Sequence, residues 1–452
     1  MRNITISYRF GSDPGRGILP PGLPGYPRDY RPHCPVLNCA DAGPPAGGST
    51  RFARQLNPVV RSLILMTKLQ NPTILTMLIL TAGCAVTGGR APVNTGSESG
   101  NHGPDPRNVV LFIGDGVGAA YWSAARIAAG TLAIEEMRVM GLTDTRSEDA
   151  RVTDSAAAAT ALAAGIRTYN GAIGVGSRCR ELFLADSARV MSDPAACDPL
   201  ESVFDIAFRS GIGTGLVATS SVTHATVAAF GARVPFRRMQ PEIASQLAAA
   251  PIDVLLGGGR GFFDGTLRPD SANLLSSLCA TATCLTTPAD LRAYRPDDRR
   301  LIGLFAENQM LAAGARAPTL PEMTGVALER LGSNPRGFVL MVEGSQPDWR
   351  GHDNAPLADV TREMLDFDQA ISVGLEFARR NPDTLVLVVA DHETGGLSIV
   401  EEGGVPVARY TTGGHTGEMT PHFATGPGAD RFSGIRDNDE IGRILLEIVS
   451  RR

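Results

Sequence analysis

The chain has 452 residues, 43% hydrophobic and 20% charged, the balance of a soluble globular protein with room for one large domain or two to three ordinary ones. Its formal net charge is -5 and it has no Lys/Arg-rich run, which excludes a nucleic-acid-binding stripe. Any charged substrate must therefore be gripped by a few local groups.

Residues 1–65 are rich in Pro, Gly and Arg with little periodicity ("GRGILPPGLPGYPRDYRPH"), a composition that cannot bury enough apolar surface to offset ordering. They read as disordered, or as translated sequence upstream of the true start. Residues 66–84 then read as a secretory signal: a Lys, an apolar run from Thr73 to Leu80, and small residues at the end, too short to span a bilayer stably. The ending Thr81-Ala82-Gly83-Cys84 resembles a bacterial lipobox, with Thr81 departing from the usual Leu, and makes Cys84 a candidate lipid anchor; ordinary secretion with cleavage nearby is the alternative. Either way the protein is expected to be exported, to the periplasm or to the outer membrane as an anchored lipoprotein. Residues 85–107 are a polar, Gly/Ser-rich tether.

The folded body is expected over 108–450 and opens with "NVVLFIGDGVG", in which the apolar run Val109–Ile113 ends at Asp115 between glycines. A strand buried on both faces reads this way, and similar runs recur at 215–219, 254–256, 301–305, 338–342 and 384–390, with helical patterns such as 321–331 and 358–379 between them. The alternation predicts an α/β fold of three layers, αβα, with a mainly parallel central sheet and helices on both faces. Ligands of such sheets bind beyond the carboxyl ends of the strands, where these runs deliver Asp115, Glu343, Asp391 and His392. Four cysteines lie in the body, and their order suggests Cys179 with Cys197 and Cys279 with Cys284, although three pairings are open.

Five histidines follow the tether. His224, His352, His392 and His415 sit among carboxylates, hydroxyls and glycines, as metal ligands do, whereas His422 reads as a satisfied core residue. The stretch "VTDSAAAATALAAG" predicts a helix starting at Asp154 or Ser155 and stopping at Gly165. An N-cap explains the two polar residues, but a serine at a helix N-terminus can also face an anion as a nucleophile. No Ser-His-Asp set lies nearby in the sequence, so its activation turns on the metal cluster.

In order, "LFIGDGVG", "VTDSAAAATALAAGIRTYNGAIGV", "HATVAAFGARVPFR", "PEMTGVALERL", "MVEGSQPDWRGHDN", "VVADHETGGL" and "GGHTGE" resemble the alkaline phosphatase family, from about Asn108 to Ile448. The resemblance implies hydrolysis of small phosphate monoesters through a phosphoserine on Ser155, with two Zn2+ and one Mg2+. By the same resemblance Asp115 bridges one zinc and the magnesium, Asp391 and His392 complete that zinc site, which holds the Ser155 oxygen, and Asp348, His352 and His415 hold the second zinc. Glu343 and Thr226 look like magnesium ligands, and His224 falls just behind the ligands of that site. Arg237 matches the arginine that grips phosphate, a task suited to the guanidinium fork. Trp349 stands where other members carry Lys or His near the phosphate. The family is often dimeric. Two other readings are a related enzyme acting on phosphodiesters or sulfates, and a non-catalytic metal-binding or adhesion lipoprotein. No Cys/Ser-x-Pro-x-Arg context supports a sulfatase, and the complete ligand sets oppose a non-catalytic protein.

Overall fold

The computed structural model describes residues 105–192 and 194–452, with the side chains of 191–195 left out. The expected upstream segment, signal, lipobox and all but the end of the tether lie outside the described residues. Fourteen strands follow in chain order: β1 Asn108–Gly114, β2 Val139–Asp144, β3 Gly213–Ser221, β4 Val254–Gly258, β5 Thr283–Leu285, β6 Leu301–Leu304, β7 Phe338–Gly344, β8 Thr384–Ala390, β9 Glu393–Thr394, β10 Ser398–Glu402, β11 Val405–Arg409, β12 His415–Thr416, β13 Thr420–Thr425 and β14 Gly434–Asp437. Ten of them form one sheet in the order β14-β2-β13-β8-β1-β7-β3-β4-β6-β5. β13 runs antiparallel to both neighbours, and every other pair in the sheet is parallel.

Strict alternation along the central strands builds two cores. Val109, Leu111 and Ile113 of β1, with Val339 and Met341 of β7 and Leu385, Leu387 and Val389 of β8, face one side. There they meet the helices Ser155–Ala164, Val203–Arg209, Gln240–Ala249 and Asn438–Ser450. Val110, Phe112, Leu340, Val342, Val386 and Val388 face the other side, against the helices Ala119–Ala129, Leu320–Leu331 and Leu357–Arg380. Each fully buried aliphatic or aromatic side chain contributes about 1.5–3 kcal/mol, so strands covered on both faces must be apolar throughout. The three-layer αβα arrangement is as the sequence predicts.

The edges differ from expectation. Strands β2, β13, β14 and β5 carry no continuous apolar run, and β13 contains Pro421 paired opposite Leu142. The β10–β11 hairpin and the two-residue pairing of β12 with β9 stand apart from the main sheet. Cys179 is bonded to Cys197 and Cys279 to Cys284, the pairing that sequence order suggests. Among the described residues no helix is long and apolar enough to cross a membrane.

Candidate active site

The central strands bring the chemistry to one edge. Asp115 follows β1, Glu343 is the penultimate residue of β7, and Asp391 and His392 follow β8; β1 is hydrogen-bonded to both β7 and β8, which sets these acids side by side. Gln346–His352 forms a short helix after β7 that carries Asp348, Trp349 and His352, and β12 contributes His415. His224 precedes the short helix Ala225–Ala228, which holds Thr226, and Arg237 sits in the turn after Pro235.

Asp154 is the N-cap of the helix Ser155–Ala164: its Oδ1 accepts from the Ala157 N–H at 3.0 Å, a contact of the kind that contributes about 1 kcal/mol. Gly165 ends the helix in the left-handed conformation, φ 65°, with its N–H on the Ala161 carbonyl. Asp154 therefore satisfies the cap and leaves Ser155, the first helical residue, free of that duty. Ser155 is buried, and its Oγ lies 3.2 Å from Nε2 of His392.

That pairing is not a Ser-His-Asp triad. In a triad the carboxylate holds the ring nitrogen remote from the serine. Here Asp115 and Asp391 lie on the serine side, each 3.4 Å from the same Nε2, and Nδ1 meets the Thr394 hydroxyl at 3.2 Å. The other histidines follow the same rule: Nδ1 of His352 donates to the Gly413 carbonyl and Nδ1 of His415 to the Thr153 carbonyl, both at 2.8 Å. With each ring proton committed to an oxygen at Nδ1, three Nε2 lone pairs turn inward.

Two groups of ligand atoms result. Asp115, Asp391 and His392 form one; His392 and His415 stand with Asp348 in the other, so His392 reaches both. His352 joins the second, its Nε2 3.1 Å from that of His415 and 3.3 Å from Asp348 Oδ1. A third group is Asp115, His224 and Glu343. Both oxygens of Asp115, Oδ2 of Asp391, Oε1 of Glu343 and Oγ1 of Thr226 are buried with no hydrogen-bond partner. Orphaned buried oxygens are costly unless a cation satisfies them, so this donor set fits resident metal ions. The electrostatics agree. Burial, reinforced by repulsion from neighbouring carboxylates, pushes Asp115 and Asp391 well above the usual carboxylate range, and burial also raises Glu343. Imidazole with carboxylate suits zinc, and the oxygen-rich third group suits magnesium.

His224 is held neutral by burial and by Arg237, its pKa lowered to about 3. Its Nε2 accepts from Arg237 Nη2 at 3.4 Å, while its Nδ1 is buried with no hydrogen-bond partner. Arg237 Nη1 donates to Asp154 Oδ2 at 2.9 Å, which aims the guanidinium across the start of the Ser155 helix. The Trp349 ring lies edge-on to His224, centroids 6.2 Å apart. His422 stands away from the site, buried between the Thr143 hydroxyl at 2.8 Å and the Phe432 carbonyl at 2.6 Å, a satisfied core residue as expected.

Every candidate residue except His422 thus converges at one sheet edge. Sequence reasoning missed Thr394, whose hydroxyl donates to Asp348 Oδ1 at 2.5 Å while meeting His392 Nδ1, and Gly116, whose N–H donates to Asp391 Oδ1 at 3.1 Å. Both lie inside quoted motifs, within two residues of a recognised ligand, which is the only signal they offer.

Comparison with known proteins bears on this geometry. Residues 106–407 match the alkaline phosphatase family model. The chain is 31% identical over 460 residues to alkaline phosphatase 4 of Bacillus subtilis (strain 168), covering 82% of this chain and 95% of that one. It is 34% identical over 422 residues to streptomycin-6-phosphate phosphatase of Streptomyces griseus, covering 75% and 90%. Among solved structures, alkaline phosphatase from the Antarctic bacterium TAB5 superposes with a TM-score of 0.70 at 34% identity, covering 77% of this chain and all of that one, and a variant of it was solved with Mg bound.

Proposed function

Because this chain belongs to the alkaline phosphatase family and is a phosphomonoester hydrolase, we propose that it works through a phosphoserine on Ser155, assisted by two zinc ions and one magnesium. The carrying observation is the buried Ser155 hydroxyl at a helix N-terminus, 3.2 Å from His392, facing a wall of orphaned carboxylate oxygens. Zinc would be held by Asp115, Asp391 and His392 with Ser155, and by Asp348, His352 and His415; magnesium by Asp115, Thr226 and Glu343. When bound, these ions lower the pKa of a hydroxyl or water and neutralise charge on the phosphoryl oxygens and the leaving oxygen.

The chain's own residues do the rest. The open N–H groups at the start of the Ser155–Ala164 helix favour the phosphoryl anion. Arg237, held by Asp154, offers its remaining guanidinium donors to two phosphoryl oxygens. Ser155 Oγ attacks phosphorus, the P–O bond to the alcohol breaks, and the alcohol leaves. Water then attacks the same phosphorus, the serine ester bond breaks, and phosphate departs with Ser155 restored.

The test is hydrolysis of p-nitrophenyl phosphate at alkaline pH by residues 85–452 with zinc and magnesium, beside Ser155→Ala. Turnover that chelator abolishes and that falls about a thousandfold or more in the variant supports the reading. Wild-type turnover in Ser155→Ala refutes the phosphoserine. We infer that residues 66–84 are an export signal and that Cys84 is the lipid attachment point. Mass spectrometry of the mature N-terminus tests it: an acylated Cys84 supports the anchor, and an unmodified N-terminus refutes it.

A further inference from the structure

The segment carrying Asp154 and Ser155 and the segment carrying Arg237 are far apart in the chain, yet they must meet one phosphoryl group within a fraction of an ångström. Three consecutive residues, Tyr169, Asn170 and Gly171, grip both. Oδ1 of Asn170 accepts from the Asp154 N–H at 3.1 Å, and its Nδ2 donates to the Val152 carbonyl at 3.0 Å. One planar amide thus reads the main chain of 152–154 with both of its edges. The Asn170 N–H is itself fixed on Asp149 Oδ1 at 2.9 Å.

Gly171 continues the grip on both sides. Its N–H donates to Asp154 Oδ1 at 3.0 Å, and its carbonyl accepts from the Arg237 N–H at 2.8 Å. Gly171 has φ 92°, with no atom nearer than 3.9 Å to where a Cβ would lie; glycine is required there by conformation and not by space. Tyr169 donates its hydroxyl to the Pro235 carbonyl at 2.9 Å, two residues before Arg237. The Arg237–Asp154 ion pair closes the ring.

We propose that Asn170 is a positioning residue that holds the Ser155 helix start and Arg237 in register, with the 169–171 turn as their common template. The proposal rests on the reading above that these two residues handle the phosphoryl group. Only a carboxamide fits the task. A carboxylate would place an oxygen against the Val152 carbonyl, and alanine would leave both the Asp154 N–H and that carbonyl without their partner. None of Tyr169, Asn170 and Gly171 offers an atom to the ligand groups, but the Thr153 carbonyl that fixes His415 lies in the gripped stretch, so bound metal is measured beside activity.

The experiment compares wild type, Asn170→Ala and Asn170→Asp, each also in an Arg237→Ala background. The readouts are kcat/KM on p-nitrophenyl phosphate, inhibition by inorganic phosphate, bound zinc and magnesium, and the melting curve. Asn170→Ala, assayed with zinc and magnesium at saturation, is expected to lower kcat/KM about 10–100-fold and to weaken phosphate inhibition. Asn170→Asp, which keeps the acceptor but sets a charged oxygen against the Val152 carbonyl, should fall at least as far. With Arg237 gone, removing Asn170 should matter much less, because residues that act as a unit are not additive. Wild-type kcat/KM and phosphate inhibition in Asn170→Ala, or effects that simply multiply in the double variant, would overturn the proposal. A purely structural role would lower the melting temperature and leave kcat/KM per folded molecule unchanged. If wild type itself does not turn over phosphomonoesters, the functional reading fails separately, and calorimetric binding of inorganic phosphate to the same variants still reads the coupling.

Discussion

The Nε2 atoms of His352 and His415 lie 3.1 Å apart, and each ring has already spent its Nδ1 proton on a main-chain carbonyl. Two lone pairs facing each other at that distance repel unless a cation lies between them. Metal removal is therefore expected to destabilise the fold as well as stop turnover. A ligand at about a hundredfold excess over its dissociation constant adds about 2.7 kcal/mol per site, so saturating zinc should raise the melting temperature by at least about 5 °C over the chelated protein. Calorimetry with and without chelator checks this; coincident transitions would contradict it.

Thr394 Oγ1 meets Asp348 in one ligand group and His392, which serves both, so a single hydroxyl links the two. Thr394→Val keeps the shape and removes the link. Zinc affinity should fall about 10–100-fold, and Thr394→Ser should recover most of it. Zinc retained during graded chelator titration is the measurement, and equal retention in wild type and Thr394→Val would count against it.

Trp349, edge-on to His224, would offer a phosphate held by Arg237 one N–H donor and no charge. A lysine there adds a cation able to make a charge-assisted bond to a phosphoryl oxygen. Trp349→Lys should lower the inhibition constant of inorganic phosphate by roughly severalfold. Equal constants for the two proteins would refute the expectation.

His422 supplies a pH dependence independent of the metals. Burial lowers its pKa below the ordinary value of 6.5, partly offset by its bond to the Phe432 carbonyl. Above pH 6.5 the folded and unfolded chains both carry it neutral, and its contribution is fully present. As pH falls below 6.5 the unfolded chain takes up the proton first, so stability declines by up to about 1.4 kcal/mol per pH unit until the folded-state pKa is reached. His422→Gln, a neutral replacement, should show a shallower loss between pH 7.5 and 5.5 in urea titrations with chelator present. Parallel losses in the two proteins would exclude His422 as a source.

How much of this was legible follows from what each residue has to do. Strands β1, β7 and β8 are covered on both faces, so their sequences are apolar without interruption and the acids that end them stand out. The edge strand β14 and its neighbour β2 escaped because short, half-covered segments tolerate Gly and charged residues. Ligand types could be recognised from the resemblance, but that His392 reaches both groups depends on its distances to Asp115, Asp391 and Asp348. Asn170 and Thr394 were unreadable for a simpler reason: amides and hydroxyls are common on any surface, and only their distances distinguish these two.

The position of β1 has a consequence for how the chain is made. It emerges early from the ribosome, yet its partners β7 and β8 begin roughly 230 and 276 residues later. At about 5–20 residues per second, that interval is on the order of tens of seconds, during which "NVVLFIG" has no strand beside it on either flank. Local helices can form while synthesis proceeds, but the sheet must wait for its own middle. Newly made chains should therefore depend on a holding chaperone throughout that delay, and a ribosome stalled before residue 338 would present an adhesive apolar ribbon with nowhere to dock.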